Sequence, residues 1–335
     1  MTKNQTKEEF KNILLSICLP VYNQSDKVRG FFKNIIPQLN PEISSHIEIV
    51  VRDDSTNLET KKLVKDYSKK ISVPIRYFRG EKEGLDVAIL FLTKEARGNY
   101  IWWFGDDVLE NGIVKILLDI IKSDPAVSLI YLNSKNINDD SDIAFKAKGD
   151  YFLKDRNQAL EKLNDQLGFI TATIFRKKDV VQSLDSAYKY IGTAWVNLFI
   201  ILSAAAYGEK FYFIQKPYIL SSPKPPGEAR WYDSFQVHGI NYFLIVQEFK
   251  DKFDKQVIRK SLADKFGRAW RAVVVERAMG LTTGFGSKSP KVLKMAKLYW
   301  SYPEFYIALP LFLTPRLVLK IFYKLYRFLF RCGGK

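Results

Sequence analysis

Apolar and polar positions in the first 130 residues switch repeatedly between two periods. Residues 14–21 form a short apolar run closed by Pro20 and the turn residue Asn23. Val28, Phe31, Phe32, Ile35, Ile36 and Leu39 then recur at helical spacing. Residues 47–51 are β-branched and predict a second strand, and the polar stretch 52–57 behind it can cap the next helix. A third strand is expected at 75–78, a helix face on Leu85, Ala88, Ile89, Leu92 and Ala96, and a fourth strand at 100–104. Ile113, Ile116, Leu117, Ile120 and Ile121 mark the next helix, and 127–132 a further strand. Strands alternating with helices predict an α/β fold, a mostly parallel central sheet flanked by helices. Such sheets bind ligands beyond the carboxyl ends of their strands. Asn23, Asp53, Asp54, Asp106 and Asp107 all fall there.

Further on the pattern changes. Residues 133–164 are polar and read as a loop-rich insertion, followed by strands at 169–175 and 211–214 around an apolar helix at 194–206. The segment 221–227, Ser-Ser-Pro-Lys-Pro-Pro-Gly, is a linker. Beyond it the chain reads as helical. The expected division is 12–220 for the α/β domain, 221–297 for a helical support region, and 298–335 for a basic, aromatic terminal segment.

Composition narrows the class. An apolar fraction of 47% excludes wholesale disorder. Cys18 and Cys332 lie at opposite ends, which is neither a disulfide framework nor a zinc spacing, so a reducing, cytoplasmic setting is expected. Residues 1–11 are polar and lack the apolar core of a secretion signal. The net charge of +16 calls for a partner or a reason, and nucleic acid, anionic lipid and phosphorylated substrates all fit it. From Lys288 onward Glu304 is the only carboxylate against ten Lys and Arg residues, mixed with aromatics. That placement favours a membrane surface over nucleic acid, for which no recognition motif is present.

Residues 100–107, Tyr-Ile-Trp-Trp-Phe-Gly-Asp-Asp, carry the chemistry. Two carboxylates at the end of a buried strand are costly unless a cation or strong donors meet them. Hard oxygen ligands suit Mg²⁺ or Mn²⁺ carrying a diphosphate. A solvated turn is the competing reading for Gly-Asp-Asp, and a helix cap is the competing reading for Asp53 and Asp54.

Four segments stand in order: 16–23 (Ser-Ile-Cys-Leu-Pro-Val-Tyr-Asn), 48–56 (Glu-Ile-Val-Val-Arg-Asp-Asp-Ser-Thr), 84–86 (Gly-Leu-Asp) and 103–107 (Trp-Phe-Gly-Asp-Asp). In this register the chain resembles the family 2 glycosyltransferases of the GT-A (Rossmann-like) fold, within them the abequosyltransferase-type enzymes of O-antigen assembly. Residues 190–199, Tyr-Ile-Gly-Thr-Ala-Trp-Val-Asn-Leu-Phe, resemble a segment of that subgroup. The resemblance implies a hexosyl- or deoxyhexosyltransferase of surface polysaccharide biosynthesis. It would take a nucleotide-diphosphate sugar and transfer with inversion onto a lipid-linked saccharide. Pro20, Tyr22 and Asn23 would line the nucleotide pocket, Asp53 would accept from the base, and Asp86 would face the same pocket. Asp106 and Asp107 stand for the family's DXD element, Asp107 holding Mn²⁺ or Mg²⁺ on the donor diphosphate with help from Asp106.

The first Asp of that element is Gly105 here, and residues 193–197 lack the Glu-Asp pair that supplies the base in many members. Asp185 upstream and Glu228, Asp233 and His238 downstream are the nearest candidates, with Asp185 and His238 kept as the catalytic expectation. The departures leave room for a catalytically degenerate sugar-nucleotide scaffold. A nucleotidyltransferase fits less well, since residues 20–24 are not a Gly-rich phosphate loop.

At the other end Arg316, Lys320, Lys324, Arg327 and Arg331 fall on one helical stripe among Leu, Ile, Val and Phe. A basic amphipathic helix over 314–331 is expected to lie on an anionic membrane surface. The protein would then sit peripherally on the inner face of the cell membrane.

Overall fold

The computed structural model describes residues 13–221, 235–280 and 290–331. The chain divides into two compact units, Met1–Pro223 and Lys224–Lys335. Residues 298–335 belong to the second unit with the rest of the helical region.

The first unit is built on β1 (Leu15–Val21), β2 (Ile47–Asp53), β3 (Ile75–Arg79) and β4 (Tyr100–Trp103). Helices α1 (Ser25–Ile35), α2 (Pro41–His46), α3 (Glu59–Tyr67) and α4 (Leu85–Glu95) connect them. The strands pair in parallel in the order β3-β2-β1-β4. Every residue of β2 and β4 is buried, as expected of strands covered on both faces. Even Glu48 is fully enclosed, its carboxylate taken up by the Ser16 hydroxyl, the Arg97 amide and Arg76.

After β4 come β5 (Val108–Leu109), α5 (Ile113–Ser123) and β6 (Val127–Asn136). The sheet is mixed rather than parallel throughout. β9 (Thr173–Arg176) inserts antiparallel between β4 and β6. β10 (Lys210–Ser221) runs parallel to β6, and β5 closes that edge antiparallel to β10. β10 is far longer than the 211–214 run, because a bulge between Ile214 and Ile219 lets it resume pairing. The polar stretch 133–164 is also more ordered than its composition predicts. It contains the end of β6, β7 (Asp139–Ile143), β8 (Tyr151–Leu153) and α6 (Arg156–Leu163). Its polar residues are spent on edge pairing and on the Asp155 side chain, which caps α6. The short helix α7 (Leu184–Ala187) and the apolar helix α8 (Val196–Tyr207) complete the unit.

The second unit opens with a π-helical turn, Phe235–Asn241. It continues through α9 (Tyr242–Glu248), α10 (Lys255–Met279), α11 (Pro290–Tyr299), α12 (Pro303–Leu313) and α13 (Arg316–Arg331). Tyr299 is fully buried and stacks on Phe266 with ring centroids 4.4 Å apart. Most of the linker segment lies outside the described residues, as do Glu228 and Asp233.

Candidate active site

The carboxyl ends of β1, β2 and β4 meet on one rim, with β2 and β4 two strand spacings apart, roughly 10 Å. On the β1–β2 side the polar groups are spent on one another. Asn23 sits in the left-handed region (φ 51), which asparagine tolerates better than most residues. Its backbone N–H donates to Ser55 Oγ at 2.8 Å, and its side-chain Oδ1 accepts from the Thr56 amide at 2.9 Å. One side chain thereby ties two loops together. Pro20 is the penultimate residue of β1, and Tyr22 stands 38% exposed with the Lys82 ammonium 4.9 Å above its ring.

Asp53 is fully buried. Its Oδ1 accepts the Ser55 amide at 3.0 Å, and its Oδ2 accepts the Tyr77 hydroxyl at 2.6 Å and Arg79 Nη1 at 2.9 Å. Burial and the neighbouring carboxylate push the Tyr77 phenol up to about 12. Arg79 also donates to the carbonyls of Asn57 and Ser55, so it fixes the loop as well as the charge. Asp54 faces away, paired with Arg52 at 2.5 Å, and burial holds its carboxyl above the usual range.

On the β4 side the charges are less satisfied. Asp107 Oδ2 accepts a 2.5 Å hydrogen bond from the Thr171 hydroxyl, which in turn accepts the Gly105 amide at 3.0 Å. Burial, and then the adjacent Asp106 charge, raise Asp107 to about 6 against the pull of Thr171 and Lys27. Asp106 is exposed and pairs with Lys27 across 3.5 Å. Nothing at sequence level pointed to Thr171, which is 64 residues away and reaches the turn only because β9 pairs with β4.

Asp86 is placed differently from the expectation that it faces the nucleotide pocket. It is 7% exposed and turned onto residues 192–196, accepting the amides of Gly192 at 2.8 Å, Ala194 at 3.0 Å and Val196 at 3.4 Å. It thus caps α8 from another helix, and burial raises its carboxyl despite these donors. The loop beneath it is contorted, with Gly192 at φ 84 and Ala194 at φ 61. An alanine there costs roughly 1–2 kcal/mol.

Asp185 lies away from the rim. It is nearly fully exposed, 3.9 Å from Lys94 in the last turn of α4, whose first turn carries Asp86. That separation is about 12 Å along the helix. His238 falls in the π-helical turn of the second unit, where it is half-buried.

Among the described residues no three metal-ligating side chains gather. Asp106 and Asp107 alone do not make a cage. They fit an ion of the Mg²⁺ or Mn²⁺ type only when nucleotide phosphates and water complete its shell.

Carboxylates gathered at the open ends of a half-parallel sheet are the arrangement of nucleotide-binding α/β proteins. This chain belongs to glycosyl transferase family 2, matching it over residues 16–183. It is similar to the abequosyltransferase RfbV of Salmonella typhimurium, 23% identical over 260 residues that cover 72% of this chain and 76% of that one. An uncharacterized glycosyltransferase of Rickettsia conorii is 29% identical over 134 residues, 39% of this chain and 21% of the relative. The crystal structure of S. aureus TarS 1–349 in complex with UDP-GlcNAc superposes with a TM-score of 0.59 at 14% identity, covering 90% of this chain and 80% of that one. The fold is therefore GT-A.

Proposed function

We propose that the protein transfers a sugar from a nucleotide-diphosphate donor to a lipid-linked saccharide acceptor at an anionic membrane surface, in surface polysaccharide assembly. The observation that carries the donor half is the rim itself. A prepaired Asn23–Asp53–Arg79 side suits the nucleoside, and an under-satisfied Asp106–Asp107 turn suits the diphosphate. A bound divalent ion would be held by Asp107 with Asp106 and would neutralise charge on the leaving diphosphate. The chain's own residues orient the donor. Tyr22 offers an exposed ring, Arg79 a polar edge fixed by the buried Asp53, and Thr171 holds the Asp107 carboxylate in place.

The acceptor half is supported by α13. At 100° per residue its side chains sort into three sectors. Leu319 and Tyr323 face the protein; Arg316, Lys320, Lys324 and Arg327 form the cationic sector. Leu317, Val318, Ile321, Phe322, Leu325 and Phe328 are exposed over an arc of about 140°. The Arg331 side chain lies outside the described residues. A helix that packs through one sector and leaves a wider apolar one open beside cations has the form of an interfacial anchor. No single described helix is long and apolar enough to cross a membrane, and α12 and α13 meet at a 106° bend.

A second reading, a degenerate sugar-nucleotide scaffold, rests on one observation. Inverting displacement needs a group to take the acceptor proton. Residues 193–197 offer no carboxylate, and the Ala194 and Val196 amides are turned onto Asp86. The two readings separate in an assay of nucleoside diphosphate release from a panel of nucleotide sugars. It would use vesicles bearing lipid-diphosphate-linked saccharides. Acceptor-dependent release that disappears in Asp107→Asn supports the transferase, whereas donor binding without release favours the scaffold. A chain ending at residue 313 that sediments fully with anionic vesicles would sink the membrane half.

A further inference from the structure

Lys27 is the third residue of α1, and its ammonium stands 3.5 Å from Asp106 Oδ2 at the open end of the sheet. The two side chains are 51% and 58% exposed. A pair this open is weak and separates at little cost. Lys27 also lines a narrow recess with Pro20, Gln24, Phe104 and Gly105, between the end of β1 and the Asp106–Asp107 turn. Across that turn Gly105 is crowded. A Cβ there would lie 3.0 Å from Thr171 Oγ1 and 3.4 Å from Ile170 Cδ1, so a larger residue at position 105 would have to push those side chains aside. The acids of the turn are Asp106 and Asp107, and beside them stands a cation that can change partners.

We propose that Lys27 is a donor-binding residue. On entry of a nucleoside diphosphate its ammonium leaves Asp106 for a phosphate oxygen, so the chain itself supplies part of the charge compensation beside any divalent ion. Two phosphate groups present more negative charge than one solvated carboxylate, and an ammonium binds them as a point charge. The inference rests on the donor-site reading above. The competing role is local: Lys27 does no more than neutralise Asp106.

Binding of UDP, CDP, GDP and ADP to the full chain, by calorimetry with Mn²⁺ and again with EDTA, separates these roles. For the nucleotide that binds wild type, Lys27→Met weakens affinity about tenfold, the size of one charge-assisted contact, and Lys27→Arg restores most of it. Asp106→Asn frees the ammonium, so affinity in EDTA rises. The double variant Lys27→Met/Asp106→Asn stays as weak as Lys27→Met. Recovery of wild-type affinity in the double variant, or unchanged affinity in Lys27→Met, overturns the proposal and leaves the donor site standing. Absence of wild-type binding to every nucleotide under both conditions removes the donor site and the proposal with it.

Discussion

The two halves of the rim are built on opposite principles. At the ends of β1 and β2, Asn23, Ser55, Thr56, Asp53, Tyr77 and Arg79 satisfy one another before any ligand arrives. At the end of β4, Asp107 is held by one hydroxyl with its carboxyl raised to about 6, and Asp106 leans on a half-exposed lysine. A prepaired site orients its ligand at little entropic cost, whereas an under-satisfied pair of carboxylates holds negative charge that a cation relieves. The difference supports the proposed division, with recognition in the first half and charge handling in the second.

The largest expected effect comes from Asp107→Asn. On the proposed reading Asp107 anchors a divalent ion, so losing its carboxylate removes several kcal/mol of transition-state stabilisation and transfer should fall by about 10³-fold. The free protein should become more stable at neutral pH. A carboxyl whose folded pKa lies above its unfolded value binds its proton more tightly when folded. Its contribution is therefore present below about pH 4 and lost as pH rises through about 6. The ionised, buried group then costs up to about 3 kcal/mol, from the difference between 3.8 and about 6, which asparagine avoids. Denaturant titration at pH 5 and pH 8 measures both arms. Equal stability of wild type and variant at pH 8 would mean that the β4 half is no less satisfied than the other.

Asp53→Ala attacks the prepaired half. It strips Arg79 and Tyr77 of their shared acceptor and should destabilise the fold by about 2–3 kcal/mol, less than a fully buried pair because Arg79 can turn to water. Thermal unfolding without ligand reads it. A drop under half a kilocalorie would remove the contrast from that side.

Thr171→Val sharpens the comparison without altering a charge. Losing the hydroxyl donor pushes Asp107 higher still, so the acidic limb of the pH–activity curve moves upward and divalent-ion affinity falls by about 10–100-fold. Thr171→Ser should restore both. Smallest is Ala194→Gly, which relieves the left-handed backbone under Asp86 and should raise stability by about 0.5–1 kcal/mol in the same unfolding assay.

Several of these features were legible from residue order. The alternation that defines β1 to β4 survives because buried strands and amphipathic helices impose their periods on nearby residues, and Asn23, Asp53 and Asp107 follow from being at strand ends. Asp86 was misplaced because its solvent exposure depends on where residues 192–196 pass, more than a hundred positions later. Asp185 is the nearest acid upstream of residues 193–197 in sequence, yet it stands beside Lys94, at the opposite end of α4 from Asp86. The insertion at 133–164 reads as loop-rich because edge strands can be polar on both faces.

By itself, then, the sequence determined the α/β class, the four motifs in register, the family they resemble and the basic amphipathic terminus, all of which reside in short-range pattern. Only the tertiary structure decided that β9 enters antiparallel and brings Thr171 to Asp107, that Asp86 is spent as a cap, and that Lys27 meets Asp106. It also decided that α13 packs through Leu319 and leaves its apolar sector open. Each of those is a contact between distant segments, fixed by strand pairing and helix packing, and no local periodicity encodes the partner.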